Sequence, residues 1–162
     1  MDLQKDMFLK RGVWAWPRIS VVITLLRAAF VAYAGSVVAS AQGNNAIRSV
    51  WDGVYSEEQA ARGKNLFINN CSSCHMEDLR GHQDAPALVG DDFLGEWTDQ
   101  SVDDLSNRIR TSMPQDNPSS LSGQAYIDIV AFLLQSNKFP VGKEELEQER
   151  DVLKTITIKK EQ

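Results

Sequence analysis

The stretch Cys71-Ser72-Ser73-Cys74-His75-Met76 holds both cysteines of a 162-residue chain and one of its two histidines. Two cysteines separated by two residues serve as a redox dithiol, as half of a zinc site, as a tight disulfide or, with His next in line, as the attachment point of a covalently held haem. Each use demands a different context, and the neighbouring sequence bears on all four.

The compartment narrows the choice. Lys5, Lys10, Arg11 and Arg18 precede an apolar run from Ile19 to Leu26, which resumes after Arg27 and ends in Ala39-Ser40-Ala41. Basic residues, an apolar stretch and a small-x-small end are the pattern of an export signal, with cleavage expected before Gln42. A start at Met7 would shorten an otherwise long leader. The alternative is an uncleaved membrane anchor over residues 19–41, against which an arginine near the helix centre costs roughly 2.5–3.5 kcal/mol. Either way the body of the protein is expected outside the cytoplasm, in the periplasm.

Removing residues 1–41 leaves a length suited to one small domain. The leader carries five Lys/Arg and two Asp/Glu, so its loss moves the net charge from -5 to -8. That acidity argues against nucleic acid and against anionic membrane surfaces, both of which attract the opposite sign. Solubility is the plain reading of the charge, and docking to a basic partner the sharper one.

Residues 42–55 show little apolar periodicity and read as a lead-in. Ser56-Glu57-Glu58-Gln59 has the form of a capping box, which predicts a helix from there to about Asn69 with Ala60, Gly63 and Phe67 on one face. Gly63 costs on the order of 1 kcal/mol relative to Ala inside a helix, so a close approach by another backbone is expected there. From Cys71 to Thr98 the chain is rich in Gly, Asp and Pro and reads as loop. Ser101 caps a second helix carrying Val102, Leu105 and Ile109, and Pro114 forces Met113 out of helical geometry. Ser122, with Leu121 and Tyr126 placed as a hydrophobic staple, starts a third helix to about Ser136 that is apolar nearly all round and therefore the most buried. Beyond Pro140 the chain is charged, with a helical turn or two expected between Glu144 and Leu153 and an alternating run Thr155–Ile158. The whole is all-α.

In this setting the rival chemistries weaken. A thioredoxin-like dithiol wants a strand before its C-x-x-C, and here a helix precedes it. Zinc takes about four ligands, and His75 adjacent to Cys74 can hardly share one tetrahedron with it. A disulfide across two residues closes too small a loop to stabilise much. Haem attachment uses every member of the cluster: the thiols of Cys71 and Cys74 add to the vinyl groups, and His75 becomes an axial ligand. For the second ligand, Met76 cannot reach the opposite face from beside His75, and His82 follows within the same loop. Met113, separated by a helix and braced by Pro114, is favoured, with core filling as its ordinary alternative. Two filled axial positions imply one-electron transfer and no open site for a substrate.

At this point the residues resemble class I monohaem cytochrome c: Gly63-x-x-x-Phe67 ahead of Cys71-x-x-Cys74-His75, then Met113-Pro114, then Asp128-Ile-Val-Ala-Phe132-Leu133. The resemblance spans roughly Glu57 to Phe139. It implies that the N- and C-terminal helices cross around a covalently bound haem c, one per chain, with Gly63 against Ile129, Phe132 and Leu133. It also implies that Pro86 offers its carbonyl to the His75 ring, that Leu88 packs on the haem, and that Trp97 and Arg108 or Arg110 lie near a propionate. A core aromatic and solvated arginines are the plainer readings of the last three. The run Arg108-Ile-Arg-Thr-Ser-Met113-Pro-Gln-Asp-Asn-Pro118 looks like cytochrome domains associated with quinoprotein (PQQ-dependent) dehydrogenases. The expected architecture is therefore a leader over 1–41, a lead-in over 42–55, a cytochrome domain over 56–140 and a charged extension over 141–162. The expected role is a monomeric electron carrier between a periplasmic dehydrogenase and a downstream acceptor, or the cytochrome subunit of such a dehydrogenase. The rivals are a haem enzyme or sensor with an open distal site, and a thiol-disulfide protein without haem.

Overall fold

The computed structural model describes residues 47–82 and 85–161. The expected leader and the first part of the lead-in, residues 42–46, lie outside those residues, and no described helix is long and apolar enough to cross a membrane. The described residues belong to one compact unit, Asn44–Gln162.

Six helices carry the fold: α1 (Glu57–Asn70), a single turn α2 (Ser72–His75), α3 (Gly90–Trp97), α4 (Val102–Ser112), α5 (Gly123–Ser136) and a turn α6 (Arg150–Leu153). A 3-10 turn, Val50–Asp52, precedes them, and two-residue strands β1 (Arg48–Ser49) and β2 (Ile156–Thr157) pair in parallel, Arg48 opposite Ile156 and Ser49 opposite Thr157. The caps read from the sequence start the three long helices. Ser56, Ser101 and Ser122 accept from the backbone N–H groups of Gln59, Asp104 and Ala125. Only at Ser101 is the box reciprocal, because Asp104 reaches back to the Ser101 amide. Gln59, expected to do the same for Ser56, instead turns inward. Its amide donates to Leu146 O at 3.0 Å and accepts from Leu146 N at 2.7 Å, so it is fully buried as a clamp on the C-terminal segment.

Helices α1 and α5 cross at Gly63. A methyl group there would overlap the Asp128 carbonyl and meet Phe132 Cβ at 3.0 Å. Of the trio expected at this point, Phe132 is among the nearest neighbours, and the tightest contact falls on Asp128, one position before Ile129. The crossing is fixed from outside by Arg62, whose guanidinium bonds Asp128 at 3.0 and 3.2 Å and Glu145 at 2.8 Å twice. These bonds hold the Arg62 pKa well above its ordinary value.

Two parts of the chain depart from their expected roles. Helix α3 lies within the stretch read as loop: Asp91 and Asp92 occupy its positive N-terminal turn, and Phe93 and Trp97, four apart, are buried. The segment expected as a charged extension builds core, with Leu146, Leu153, Ile156 and Ile158 buried alongside Val50, Val54 and Tyr55 from the lead-in. Gly53 and Gly142 let those two segments touch, since a Cβ on Gly142 would overlap the Gly53 carbonyl. Trp51 Nε1 donates to Lys159 O at 2.9 Å, and Arg150 bonds the buried Asp103 of α4 at 3.0 and 2.9 Å. Burial pushes the Tyr55 hydroxyl up to about 12, so it stays neutral while donating to Phe139 O at 2.6 Å.

Replacing Gly63 with Ala is expected to cost about 1–3 kcal/mol of holoprotein stability, the usual penalty of overpacking. Gly95 in α3 has nothing within 4 Å of its would-be Cβ, so Gly95→Ala is expected to be stabilising by roughly 0.5–1 kcal/mol. Paired urea denaturation curves check both signs.

Candidate haem site

Cys71 ends α1, its amide donating to Phe67 O at 2.8 Å, and α2 begins on the next residue. His75 N and Cys74 N return to Cys71 O at 3.0 and 3.2 Å. One helical turn therefore carries Cys71, Cys74 and His75 at i, i+3 and i+4, which places their side chains on adjoining parts of one face. Both thiols are free. Cys71 is half-buried, and desolvation, with a smaller contribution from Cys74, pushes its thiol up to about 11. Such a thiol holds almost no thiolate near neutral pH, whereas thiol–disulfide exchange requires the thiolate. Among the described residues no three His, Cys, Asp or Glu side chains converge as a metal site would need.

His75 is only 8% exposed, and its Nδ1 lies 3.0 Å from Pro86 O. A ring nitrogen facing a carbonyl carries the proton and donates it, which leaves the lone pair on Nε2. The path from His75 to Pro86 depends on Gly81. Gly81 N donates to His75 O at 3.1 Å, its φ is +71°, and a Cβ there would overlap the Ala85 carbonyl and approach Pro86 to 2.8 Å. Gly81 thus lets the returning chain lie against the His75 turn, a role that sequence reasoning did not assign. Met76 has φ 60° and is 43% exposed, pointing to solvent just after His75. His82 is exposed in a tight turn with Ala85.

Met113 follows α4 in extended geometry, φ -130° and ψ 148°. Its amide donates to Ile109 O at 2.8 Å, and its carbonyl accepts from Tyr126 Oη at 3.0 Å. A second apolar cluster consists of Phe67, Leu79, Ile129, Phe132 and Leu133. Cys71 and Leu88 pack on it from the His75 side of the sequence, and Ile109 and Leu121 from the two ends of the Met113 region. Leu88 is held by Asn137, which caps α5. The Asn137 amide donates to Leu88 O and Leu133 O at 2.9 Å each, and its oxygen accepts from Gly90 N at 3.0 Å. Asn137 is a second residue that the sequence did not single out, since its partners lie 47 and 49 positions away.

Trp97 belongs to the other apolar cluster, with Phe93, Val102 and Leu105, which is the plainer reading given to it. Arg108 and Arg110 are exposed and make no ion pair among the described residues; Arg110 bonds Asn107 at 3.2 Å.

One comparison with known proteins falls on this same region. A family model described as cytochrome c oxidase, cbb3-type, subunit III, matches residues 58–133, from the first turn of α1 into α5. Among solved structures, the sulfane dehydrogenase SoxCD from Paracoccus pantotrophus is similar at 25% identity and a TM-score of 0.42, over 82% of this chain and 61% of that one. The chain thus spans less than two thirds of that structure. No curated protein matches the sequence.

Asn137→Ala would strand Leu88 O and Gly90 N, each a backbone group without another partner of that strength. A loss of about 1–3 kcal/mol is expected from the unpaired groups. Hydrogen exchange checks where it falls: the Gly90 amide should lose protection before the amides of α1 do.

Proposed function

We propose that this chain is a class I cytochrome c that carries covalently bound haem c and moves single electrons, with His75 and Met113 as the iron ligands and Cys71 and Cys74 as attachment points, a reading supported by the family match over residues 58–133. The residues fit that group. Two free thiols and a buried histidine share one helical turn, the His75 proton is committed to Pro86 so that Nε2 is the free donor, and a half-covered apolar lining of Leu66, Leu88, Val89, Ile109 and Leu121 adjoins them. Haem c supplies a one-electron Fe(III)/Fe(II) couple.

The chain's own residues account for the rest of the role. The His75–Pro86 hydrogen bond is the observation that carries the reading, because a carbonyl behind an imidazole fixes the ring's orientation and raises its basicity as a ligand. Met113 as the second ligand would raise the potential and leave no place for a gas or peroxide. Phe67, Ile129, Phe132 and Leu133 exclude water from the interior side, and a low-dielectric surround penalises the more highly charged state of a buried centre. Rigid anchoring of both ligand segments to α5 keeps the structural change on electron transfer small.

The donor is proposed to be a periplasmic quinoprotein (PQQ-dependent) dehydrogenase, on the likeness of Arg108–Pro118 to cytochrome domains found with such enzymes. The chain passes electrons onward to a second protein, either as a free monomeric carrier or as the cytochrome subunit of that dehydrogenase. Export follows from the leader pattern of residues 1–41.

Met113→Ala is expected to abolish the ferric methionine–iron charge-transfer band and to lower the midpoint potential by on the order of 100 mV, within the ~0.8 V range that axial ligation spans. An unchanged band and potential would remove Met113 from the iron. Replacing Cys71 and Cys74 together with Ser should leave no haem on the polypeptide after denaturing electrophoresis, and a retained haem stain would overturn the attachment.

A further inference from the structure

Tyr126 is the fourth residue of α5 and only 2% exposed. By its spacing it is the apolar half of a staple with Leu121, a role that phenylalanine would fill as well. Its hydroxyl does something phenylalanine cannot. It donates to Met113 O at 3.0 Å and accepts from Leu121 N at 3.3 Å. A buried phenol needs partners, and both of those it finds lie at the two ends of a single loop, 113–121.

Little else holds that loop. Residues 115–120 are all exposed. Its other hydrogen bonds run from Met113 N to Ile109 O at 2.8 Å, from Asn117 N to Pro114 O at 3.0 Å and from Ser119 N and Oγ to Arg110 O at 3.1 Å each. These tie the loop to itself and to the end of α4. Among the described residues its hydrogen bonds to α5 come from the Tyr126 hydroxyl alone, beside the apolar packing of Leu121 on the cluster to which α5 gives Ile129, Phe132 and Leu133. The bonded carbonyl belongs to Met113 itself, so the anchor acts on the very residue whose thioether is used.

We propose that Tyr126 is the positioning residue of Met113: its hydroxyl pins the two ends of loop 113–121 to α5 and so holds the thioether in its ligating place. The proposal rests on Met113 being an axial ligand. The hydroxyl biases the equilibrium between methionine-bound and methionine-released forms of the oxidised protein without touching the iron. One hydrogen bond of ordinary net strength corresponds to roughly a three- to tenfold change in such an equilibrium.

The test uses the haem-loaded protein and free imidazole, which binds ferric iron only when Met113 leaves. Imidazole titration is followed by loss of the methionine–iron charge-transfer band in wild type, Tyr126→Phe, Tyr55→Phe and Met113→Ala. Tyr55→Phe is the structural control, since it removes a comparable buried bond, Tyr55 Oη to Phe139 O at 2.6 Å, in the other apolar cluster. The expected result is imidazole affinity roughly three- to tenfold higher in Tyr126→Phe and unchanged in Tyr55→Phe. No change in Tyr126→Phe, or equal changes in both tyrosine variants, would reduce Tyr126 to a core residue and overturn the proposal. A wild-type protein whose spectrum and imidazole affinity match those of Met113→Ala would instead refute the ligand assignment, and the role of Tyr126 with it.

Discussion

The contact between Gly63 and the Asp128 carbonyl governs the rest of the molecule. Any side chain at position 63 would separate α1 from α5, and the residues that matter for the site hang from those two helices. Cys71 is the last position of α1 before the α2 turn, so the depth and angle of the crossing set where both thiols and His75 point. Helix α5 provides the other reference. Its first turn offers Tyr126 to the Met113 carbonyl, and its C-cap offers Asn137 to the loop that follows Pro86. Met113 and the loop next to His75 are thus both measured from one buried rod, which is a physical reason for their relative placement to survive thermal motion.

A second constraint keeps that rod in place. The interior divides into two apolar clusters, and only one adjoins the site. The other is assembled from the lead-in, α3, α4, the C-terminal segment, Ala60 of α1 and a second face of α5 (Ile127, Val130, Ala131, Leu134), with Ile109 packed against both. Fold stability can therefore rest substantially on Val50, Tyr55, Leu134, Leu153, Ile156 and Ile158, none of which belongs to the cluster on which Cys71 and Leu88 pack. The Gly53–Gly142 approach, the β1–β2 pair and the Gln59 clamp on Leu146 close the chain's two ends over this cluster. Separating the fold's main core from the site lets the latter keep a half-covered apolar lining, a feature that would be a liability if it had to hold the protein together.

Much of this was legible in the sequence, for reasons specific to each element. The serine caps of α1, α4 and α5 act on amides three residues away, so local sequence suffices to find them. Gly63 was legible as an anomaly, since a helix tolerates it only for a reason. Helix α3 was not legible because Gly90, Gly95 and the acidic pair Asp91-Asp92 look like loop, and the Phe93–Trp97 spacing is a single pair without a repeat. The C-terminal segment misled by composition: Leu146, Leu153, Ile156 and Ile158 are spread among charged residues, and nothing local announces that they meet Val50 and Tyr55. Gln59 fitted a capping box, yet its partner lies 87 residues away. The Pro86 carbonyl was expected only through the family resemblance. Gly81, which makes its approach to His75 feasible, looked like any loop glycine.

Charge, finally, separates into residues that fold the chain and residues that face partners. Asp128 and Asp103 are buried carboxylates, and each is met by an arginine from another element, Arg62 and Arg150, in two-point geometry. Removing either arginine would leave a buried anion uncompensated, the costly half of a buried pair. Glu145 joins Arg62 from the solvent side. Glu144, Glu147 and Glu149 make no ion pair among the described residues and are exposed, as are Glu57 and Glu58 at the start of α1. Glu57 and Glu58 also favour the positive N-terminal end of α1; beyond that, these exposed carboxylates act through a long-range field. A field of that kind speeds encounter with a basic surface, repels other acidic proteins, and fades as salt shortens the screening length. On the function proposed above, the acidic balance read from composition would act at the step at which two proteins meet, and His75, Met113 and the loop that carries Met113 at the step at which the electron moves.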